Sequence, residues 1–138
     1  MKYIYCALIF LLLTSSSKHN TIGLNDTELA DRIKVSLKSG NYKLLSTCLD
    51  HQIELIIDSD KIDFQKIPAT QAEQIFKSFF QRNPPVSFQY VYQGSSNKDL
   101  RYSVGSFKSR KKDYLVYMLL KKTSSNKYVI NTLQFREG

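Results

Sequence analysis

The side chains that most often carry out catalysis or bind metal ions are few in this sequence. Among its 138 residues there are two histidines, His19 and His51, and two cysteines, Cys6 and Cys48. No set of histidine, cysteine and carboxylate residues has the spacing of a metal site, and the sequence has neither a glycine-rich phosphate-binding loop nor a nucleophile elbow. The sequence therefore predicts no catalytic residue, no metal site and no cofactor.

Two of these residues, His51 and Cys48, have simple structural interpretations. His51 follows Asp50 and the two could form an acid and base pair, but adjacent residues at a junction between helix and strand usually point apart. Cys48 lies among apolar residues such as Leu45 and Leu49, which indicates a buried small hydrophobic side chain rather than a reactive thiol. We therefore expect neither residue to be catalytic.

Aromatic side chains are more plentiful, with nine tyrosines and eight phenylalanines. One interpretation is that the tyrosines are ordinary sheet residues, with an apolar ring and a hydroxyl group at its edge. The other interpretation is a cavity that binds a small apolar ligand. Its predicted lining is Phe76, Tyr90, Tyr92, Tyr102 and Tyr117.

A tyrosine-rich cavity also leaves open a small pocket enzyme of the isomerase or lyase type. General acid or base chemistry would need a carboxylate or a histidine that faces the tyrosines. The strands that carry the tyrosines have acids only at their ends, so the candidates are Glu54, Asp58 and His51. The enzyme hypothesis depends on whether one of these lines a cavity together with tyrosine.

Positive charge is the second feature that favours a partner, because the chain has 20 lysine and arginine residues against 12 acids and a formal net charge of +8. The basic residues concentrate at the ends of predicted hairpins, as Lys108, Arg110, Lys111 and Lys112 and as Lys121, Lys122 and Lys127. These clusters either provide solubility and protect sheet edges, or they contact an anionic envelope component such as lipid head groups or acidic glycans. Nucleic acid would fit the charge, but export argues against it.

Export is predicted by the first 17 residues. Met1 and Lys2 give a positive start, residues 3–13 are an uncharged run, and residues 14–17 are small and polar, which is the form of a secretory signal peptide. As a helix, the uncharged run spans only about 16 Å, about half of the membrane's hydrocarbon core, so a transmembrane anchor is the weaker interpretation. We expect a protein of the periplasm or the extracellular space, without a transmembrane anchor after cleavage. Only Cys48 would then remain, which excludes an intramolecular disulfide.

Residues 18–138 are expected to form one domain, ordered from about residue 25 to residue 137. Apolar residues with helical spacing predict a helix that begins near Asp26 and ends before Gly40, a short second helix over 42–49 and a third over 71–82. Residues 53–58 and 63–67 predict a hairpin between the second and third helices. Alternating patterns over 86–93, 100–107, 114–122 and 128–136 then predict an antiparallel meander of four strands.

Three positions in the meander carry more specific expectations. Residues 114–120 are apolar on both faces, which predicts a central strand covered on both sides, by helices and by a second copy of the chain in a homodimer through the outer sheet face. Gly105 inside a strand indicates a bulge or a close approach. A bulge at Asn131 and Thr132 would turn the apolar residues on either side of it to the same face.

This order of elements predicts the α+β class, with helices packed on a long curved antiparallel sheet in the shape of a cone that often keeps a pocket at its open end. The segments QAEQI (71–75), FF (79–80), NPP (83–85) and QGSS (93–96), together with Tyr102 and Gly105, resemble the family called domain of unknown function 4783. The resemblance covers roughly residues 37–134. It implies a small exported bacterial protein with the nuclear-transport-factor-2-like, cystatin-like fold, and it carries no established activity or catalytic residue.

Taken together, the sequence predicts an exported binding or adaptor module of the bacterial cell envelope. The alternative is the small pocket enzyme described above.

Overall fold

The computed structural model describes residues 26–97 and 99–138. The predicted signal peptide, its cleavage site and His19 lie outside the described residues. Within them the elements follow the order α1 Asp26–Ser39, α2 Tyr42–Thr47, β1 Leu49–Ile57, a 3₁₀ turn Asp58–Asp60, β2 Ile62–Pro68, α3 Ala69–Arg82, β3 Pro85–Asn97, β4 Leu100–Ser109, β5 Asp113–Lys122 and β6 Tyr128–Glu137.

The strands form a six-stranded sheet in the order β2-β1-β6-β5-β4-β3. The predicted meander is confirmed, because β3, β4, β5 and β6 pair antiparallel in succession, and the hairpin of β1 with β2 is confirmed as well. A parallel pairing of β1 with β6, which the sequence did not predict, joins the hairpin to the meander. The α+β class, the curved sheet and the helices packed on it are as predicted.

Helices α1 and α3 form because apolar residues recur along one face of each. On α1 the buried face includes Leu29, Ile33 and Leu37. Helix α3 begins at Ala69, two residues earlier than the pattern predicted, directly after Pro68, and it ends at Arg82 before the buried Asn83. The Phe79 carbonyl in the last turn accepts the backbone N–H of Asn83 over 2.8 Å and its side-chain amide over 3.1 Å.

Aromatic rings fill the space between the helices and the inner face of the sheet. Phe79 of α3 lies at the centre, with its ring centroid 4.8 Å from that of Phe135 and 5.3 Å from that of Tyr114. Phe76 and Phe107 complete this fully buried cluster. Such close packing resembles that of an organic crystal, so the stability of the domain rests on this cluster.

Two expected irregularities of the sheet are present. On β6, Thr132 pairs with Leu119 and Ile130 with Leu120, so Asn131 is the extra residue of a bulge. On β4, the ring of Phe88 lies over Gly105, so the expected close approach is confirmed.

A third irregularity was not predicted and lies on β3. Tyr90 pairs with Gly105 and Tyr92 with the next residue of β4, Val104, so Val91 is an extra residue in β3. A regular strand would place Tyr90 and Tyr92 on the same face. The bulge at Val91 places Tyr90 on the inner face and Tyr92 on the outer face.

Strand β5 is central, but only one of its faces is covered within the chain. Tyr114, Val116, Met118 and Leu120 are buried, whereas Leu115, Tyr117 and Leu119 face outward and are partly or largely exposed. The inner face is covered within the domain, as expected, and none of the described elements covers the outer face. The homodimer through this face stays a prediction.

Candidate functional site

The five residues predicted to line a cavity lie on two sides of the sheet. Phe76 is fully buried in the aromatic core, and Tyr90 is on the inner face, where its hydroxyl donates to the Ala30 carbonyl of α1 over 2.8 Å. Tyr92, Tyr102 and Tyr117 are on the outer face. The expectation of one cavity lined by all five is therefore corrected, because the Val91 bulge separates Tyr92 from Tyr90. A ligand-binding role for these residues stays a prediction.

The interior contains ionisable groups that burial keeps protonated, among them Cys48 and Tyr90. Burial raises the pKa of the Cys48 thiol to about 12, against a lowering influence of the nearby Arg32 charge. Burial also raises the pKa of Tyr90, whose hydroxyl is already engaged with Ala30. Cys48 is therefore a buried apolar residue, as the sequence predicted.

The outer face carries a strip of exposed tyrosines on three adjacent strands, here called the tyrosine strip: Tyr92 on β3, Tyr102 on β4 and Tyr117 on β5. Their exposed fractions are 59%, 42% and 40%. Tyr117 and Tyr92 both pair with Val104, from opposite sides, and Tyr102 pairs with Gly94. Because cross-strand partners share a face of the sheet, the three rings lie in neighbouring positions.

Tyr92 has a defined position within the strip because its phenol ring lies over Gly94. A Cβ atom at Gly94 would lie 2.8 Å from Cζ of Tyr92 and would also meet its hydroxyl oxygen. The absence of a side chain at Gly94 therefore allows the ring of Tyr92 to lie along the strand beside Tyr102, the cross-strand partner of Gly94.

Between Tyr102 and Tyr117 the outer face contains an open groove of about 350 Å³. Its apolar lining includes the two tyrosines, Val104 and Leu119, and its polar lining includes Glu54, Thr132 and Gln134. Strands β1 and β6 supply the polar side, and β4 and β5 supply the apolar side. The groove thus combines aromatic surface with hydrogen-bonding groups.

The polar side of the groove belongs to a connected chain of hydrogen bonds that ends at Arg136, next to the groove. Arg136 donates from Nε and Nη2 to Oε1 of Gln134 over 3.3 and 3.2 Å. Gln134 in turn donates from Nε2 to Oε1 of Glu54 over 3.1 Å. The amide therefore connects a cation to an anion, and each member orients the next.

No pattern in the sequence marks Gln134 or Arg136 as a site residue. Gln134 reaches Glu54 across 80 residues of sequence, and only the parallel pairing of β1 with β6 places the two side by side. Tyr92, Tyr102 and Tyr117 were predicted as binding residues because tyrosines within predicted strands can be recognised from residue type alone.

The predicted basic cluster lies at the turn between β4 and β5, here called the basic hairpin. Ser109 orders this turn, since its hydroxyl donates to the Lys112 carbonyl over 2.6 Å and accepts from the backbone N–H groups of Lys111 and Lys112. The Arg110 N–H donates to the Pro84 carbonyl over 3.0 Å, which fixes the turn against the end of α3.

The charges of the basic hairpin are mostly free of acidic partners. Lys112 pairs with Glu137 over 2.6 Å, and the hydrogen bond and charge of Glu137 raise the pKa of Lys112. No ion pair within the described part of the chain involves Lys108, Arg110 or Lys111, and all three are exposed. The turn therefore presents three uncompensated positive charges.

The three candidates for acid and base chemistry have different surroundings. His51 is exposed, and its backbone N–H donates to the Asp50 carboxylate over 2.8 Å. Asp58 accepts from the backbone N–H of Glu137 at the end of β1. Glu54 alone of the three lines the groove that contains Tyr102 and Tyr117.

A second cavity, of about 250 Å³, lies between the start of α1 and the sheet and contains Arg101. The guanidinium group of Arg101 pairs with Asp26 over 3.2 Å and lies 5.6 Å from the ring centroid of Tyr128. Its charge is thus compensated by residues of the chain itself.

Over residues 26–97 and 99–138 there is no cluster of three or more histidine, cysteine or acidic residues that could hold a metal ion. No helix in the same residues is long and apolar enough to cross a membrane.

Comparisons with known proteins identify the fold. Residues 30–136 match the model of the family described as Domain of unknown function (DUF4783). A DUF4783 family protein from Bacteroides uniformis is 22% identical, with a TM-score of 0.71, and the match covers 78% of this chain and 95% of that chain. None of the curated proteins matches the chain.

Two more distant structures show the same architecture. A domain of unknown function with a cystatin-like fold from Nostoc punctiforme is 9% identical, with a TM-score of 0.65 over 80% of this chain and 74% of that chain. An NTF2-like protein of unknown function from Shewanella baltica is 10% identical, with a TM-score of 0.63 over 81% of this chain and 90% of that chain. These likenesses show the cystatin-like, NTF2-like fold.

Proposed function

This chain belongs to the DUF4783 family, whose function is unknown, and from that premise we propose that it is an exported binding module that contacts anionic lipid head groups of the bacterial envelope through the basic hairpin. The observation that carries the proposal is the set of three uncompensated charges at Lys108, Arg110 and Lys111. The form of residues 1–17 supports export.

The geometry of the turn favours a surface as the partner. Ser109 and the bond from Arg110 to Pro84 order the backbone, so the charges are presented without a large loss of chain entropy on binding. The charges lie within one turn at the end of the sheet and not in a row across its strands. A turn of this kind suits the plane of an anionic membrane, whereas a long acidic polymer would bind better along a track of charges.

The test compares two variants that each remove three positive charges. In the first, Lys108, Arg110 and Lys111 of the basic hairpin are replaced by glutamine. In the control, Lys121→Gln, Lys122→Gln and Lys127→Gln remove the charges at the other end of β5. Binding is measured by cosedimentation with vesicles of phosphatidylcholine mixed with phosphatidylglycerol, and with vesicles of phosphatidylcholine alone.

We expect the wild type and the control variant to bind only the anionic vesicles. The hairpin variant should bind them about 100-fold more weakly, since each basic residue near an anionic surface contributes about 1 kcal/mol. Equal losses in both variants would reduce the effect to net charge and contradict the proposal. Retention on heparin without binding to anionic vesicles would assign the hairpin to acidic glycans instead.

A small enzyme of the isomerase or lyase type is the second candidate, and the position of Glu54 in the groove with Tyr102 and Tyr117 is the observation that favours it. The wild type and a Glu54→Gln variant can each be incubated with a mixture of bacterial metabolites. Mass spectrometry then shows which compounds are converted. A compound that the wild type converts and the Glu54→Gln variant does not would support this function.

A further inference from the structure

We propose that the outer sheet face binds a neutral oligosaccharide, which lies across the tyrosine strip and forms hydrogen bonds with the chain of Glu54, Gln134 and Arg136. This site is independent of the basic hairpin and lies on a different part of the molecule. The proposal rests on the exposed aromatic rings and the hydrogen-bonding groups that this face brings together.

A sugar ring has an apolar face of C–H groups and an edge of hydroxyl groups. The tyrosine strip offers flat apolar rings to the first of these, with hydroxyl groups that remain in water. Tyr92 lies along its strand over Gly94, so its exposed ring is flat on the face where a sugar would stack. The strip crosses β3, β4 and β5 and therefore extends about 10 Å, which suits a short oligosaccharide better than one sugar.

The hydroxyl edge of a sugar needs donors and acceptors that are close together. Glu54 supplies carboxylate oxygens and Gln134 an amide on the β1 and β6 side of the groove, and the guanidinium group of Arg136, next to the groove, donates to that amide. Their mutual hydrogen bonds fix their positions before any ligand arrives. Preorganised polar groups of this kind give orientation and specificity at a low cost in entropy.

The balance of charge on this face favours a neutral ligand. The negative charge of Glu54 and the positive charge of Arg136 are connected through Gln134, so neither sign is in excess. An anionic ligand would bind instead at the basic hairpin, where three lysine and arginine side chains have no ion pair among the described residues. Hydrolysis of a glycosidic bond usually needs two carboxyl groups about 5–10 Å apart, whereas Glu54 is the one carboxylate among the described residues that line the groove. We therefore infer binding without cleavage.

The test is native electrophoresis of the full chain, toward the cathode because the protein is basic, through gels that contain β-glucan, xylan, galactomannan or dextran. Tyr102→Ala and Tyr117→Ala remove rings of the strip. Phe64→Ala, on β2, removes an aromatic side chain of 44% exposure away from the groove and is the matched control. Thermal unfolding of each variant verifies that it is folded.

We expect at least one neutral polysaccharide to retard the wild type, the Phe64→Ala variant and the hairpin variant equally. Loss of either tyrosine should weaken the affinity about tenfold, the effect of one aromatic contact. Failure of all four neutral polysaccharides to retard the wild type would overturn the proposal. So would a dimer in light scattering that the tyrosine substitutions dissociate, because the face would then belong to a second copy.

Discussion

The ring of Phe88 on β3 lies directly against the backbone of Gly105 on β4, in the space that a side chain at Gly105 would occupy. Phe88 is itself 2% exposed, so the ring cannot move into solvent. Strand β3 can carry a phenylalanine at this point only because its partner on β4 is a glycine, which has no side chain.

Gly105→Ala should therefore destabilise the protein. The new methyl group would overlap ring carbons of Phe88, and overpacking of this kind typically costs about 1–3 kcal/mol. Urea unfolding at neutral pH measures the change. A Gly105→Ala protein as stable as the wild type would mean that the ring of Phe88 has another buried position.

Gly94→Ala is the matched substitution on the outer face. It should leave stability almost unchanged and weaken binding instead. Its methyl group also meets an aromatic ring, but that ring belongs to Tyr92, which is exposed and can turn away. We expect a stability change within about 0.5 kcal/mol, together with weaker retardation by the neutral polysaccharide that binds the wild type. Unchanged retardation would exclude the flat position of Tyr92 from the binding site.

Stability should fall at alkaline pH because of Cys48. Its pKa is about 12 in the folded protein and near its ordinary value of 9.0 in the unfolded chain, so its contribution is complete below pH 9. Above that pH the unfolded chain releases the proton that the folded state keeps, and about 1.4 kcal/mol is lost for each pH unit up to about pH 12.

The measurement is the difference in unfolding free energy between pH 8 and pH 10 for the wild type and for Cys48→Ala. The variant should lose about 1 kcal/mol less over this interval, because it lacks the thiol but keeps Tyr90 and every lysine. Equal losses in the two proteins would contradict the assignment to Cys48.

Asn83 should contribute more to stability than a typical polar residue, because it is buried and joins two elements. Its amide donates to the Phe79 carbonyl at the end of α3, and its Oδ1 accepts from the Tyr114 hydroxyl over 3.4 Å. Asn83→Ala should cost about 1–3 kcal/mol, since it removes two side-chain hydrogen bonds that are each worth about 0.5–1.5 kcal/mol.

Tyr114→Phe separates the two bonds of Asn83. It removes the hydroxyl that contacts Asn83 and Ser59 but keeps the ring in the core, so the expected cost is only about 1 kcal/mol. Thermal unfolding of both variants decides the order. A larger loss for Tyr114→Phe would place the main contribution in the Ser59 contact.

The two bulges show why only part of the sheet was predictable. On β6 the apolar residues change parity at Asn131, from Tyr128 and Ile130 to Leu133 and Phe135, and a buried face cannot tolerate such a change without an extra residue. On β3 the residues on either side of Val91 are both tyrosines, which suit either face of a sheet. The sequence therefore contains no sign of the bulge at Val91. Without that bulge, Tyr90 and Tyr92 would share one face of the sheet, which is why the sequence predicted a single cavity lined by both.

Long-range pairing accounts for the other residues that the sequence did not predict. Periodicity specified the helices, the hairpin and the meander, since each depends on neighbours within a few residues. It did not specify that β1 lies beside β6, and the chain from Glu54 through Gln134 to Arg136 depends on that pairing. The abundance of aromatic and basic residues is evident from the sequence. Which of them share a face of the sheet depends on the register of strand pairing, which the sequence does not specify.

The parallel pairing of β1 with β6 also has a consequence for how the protein is made. Leu55 finds its partner Leu133 only after α3 and strands β3 to β5 have been synthesised, so β1 lacks its neighbour until β6 emerges. Pairings of such high sequence separation form slowly. Under the export proposed above, the chain would therefore reach a translocation channel before its sheet is complete.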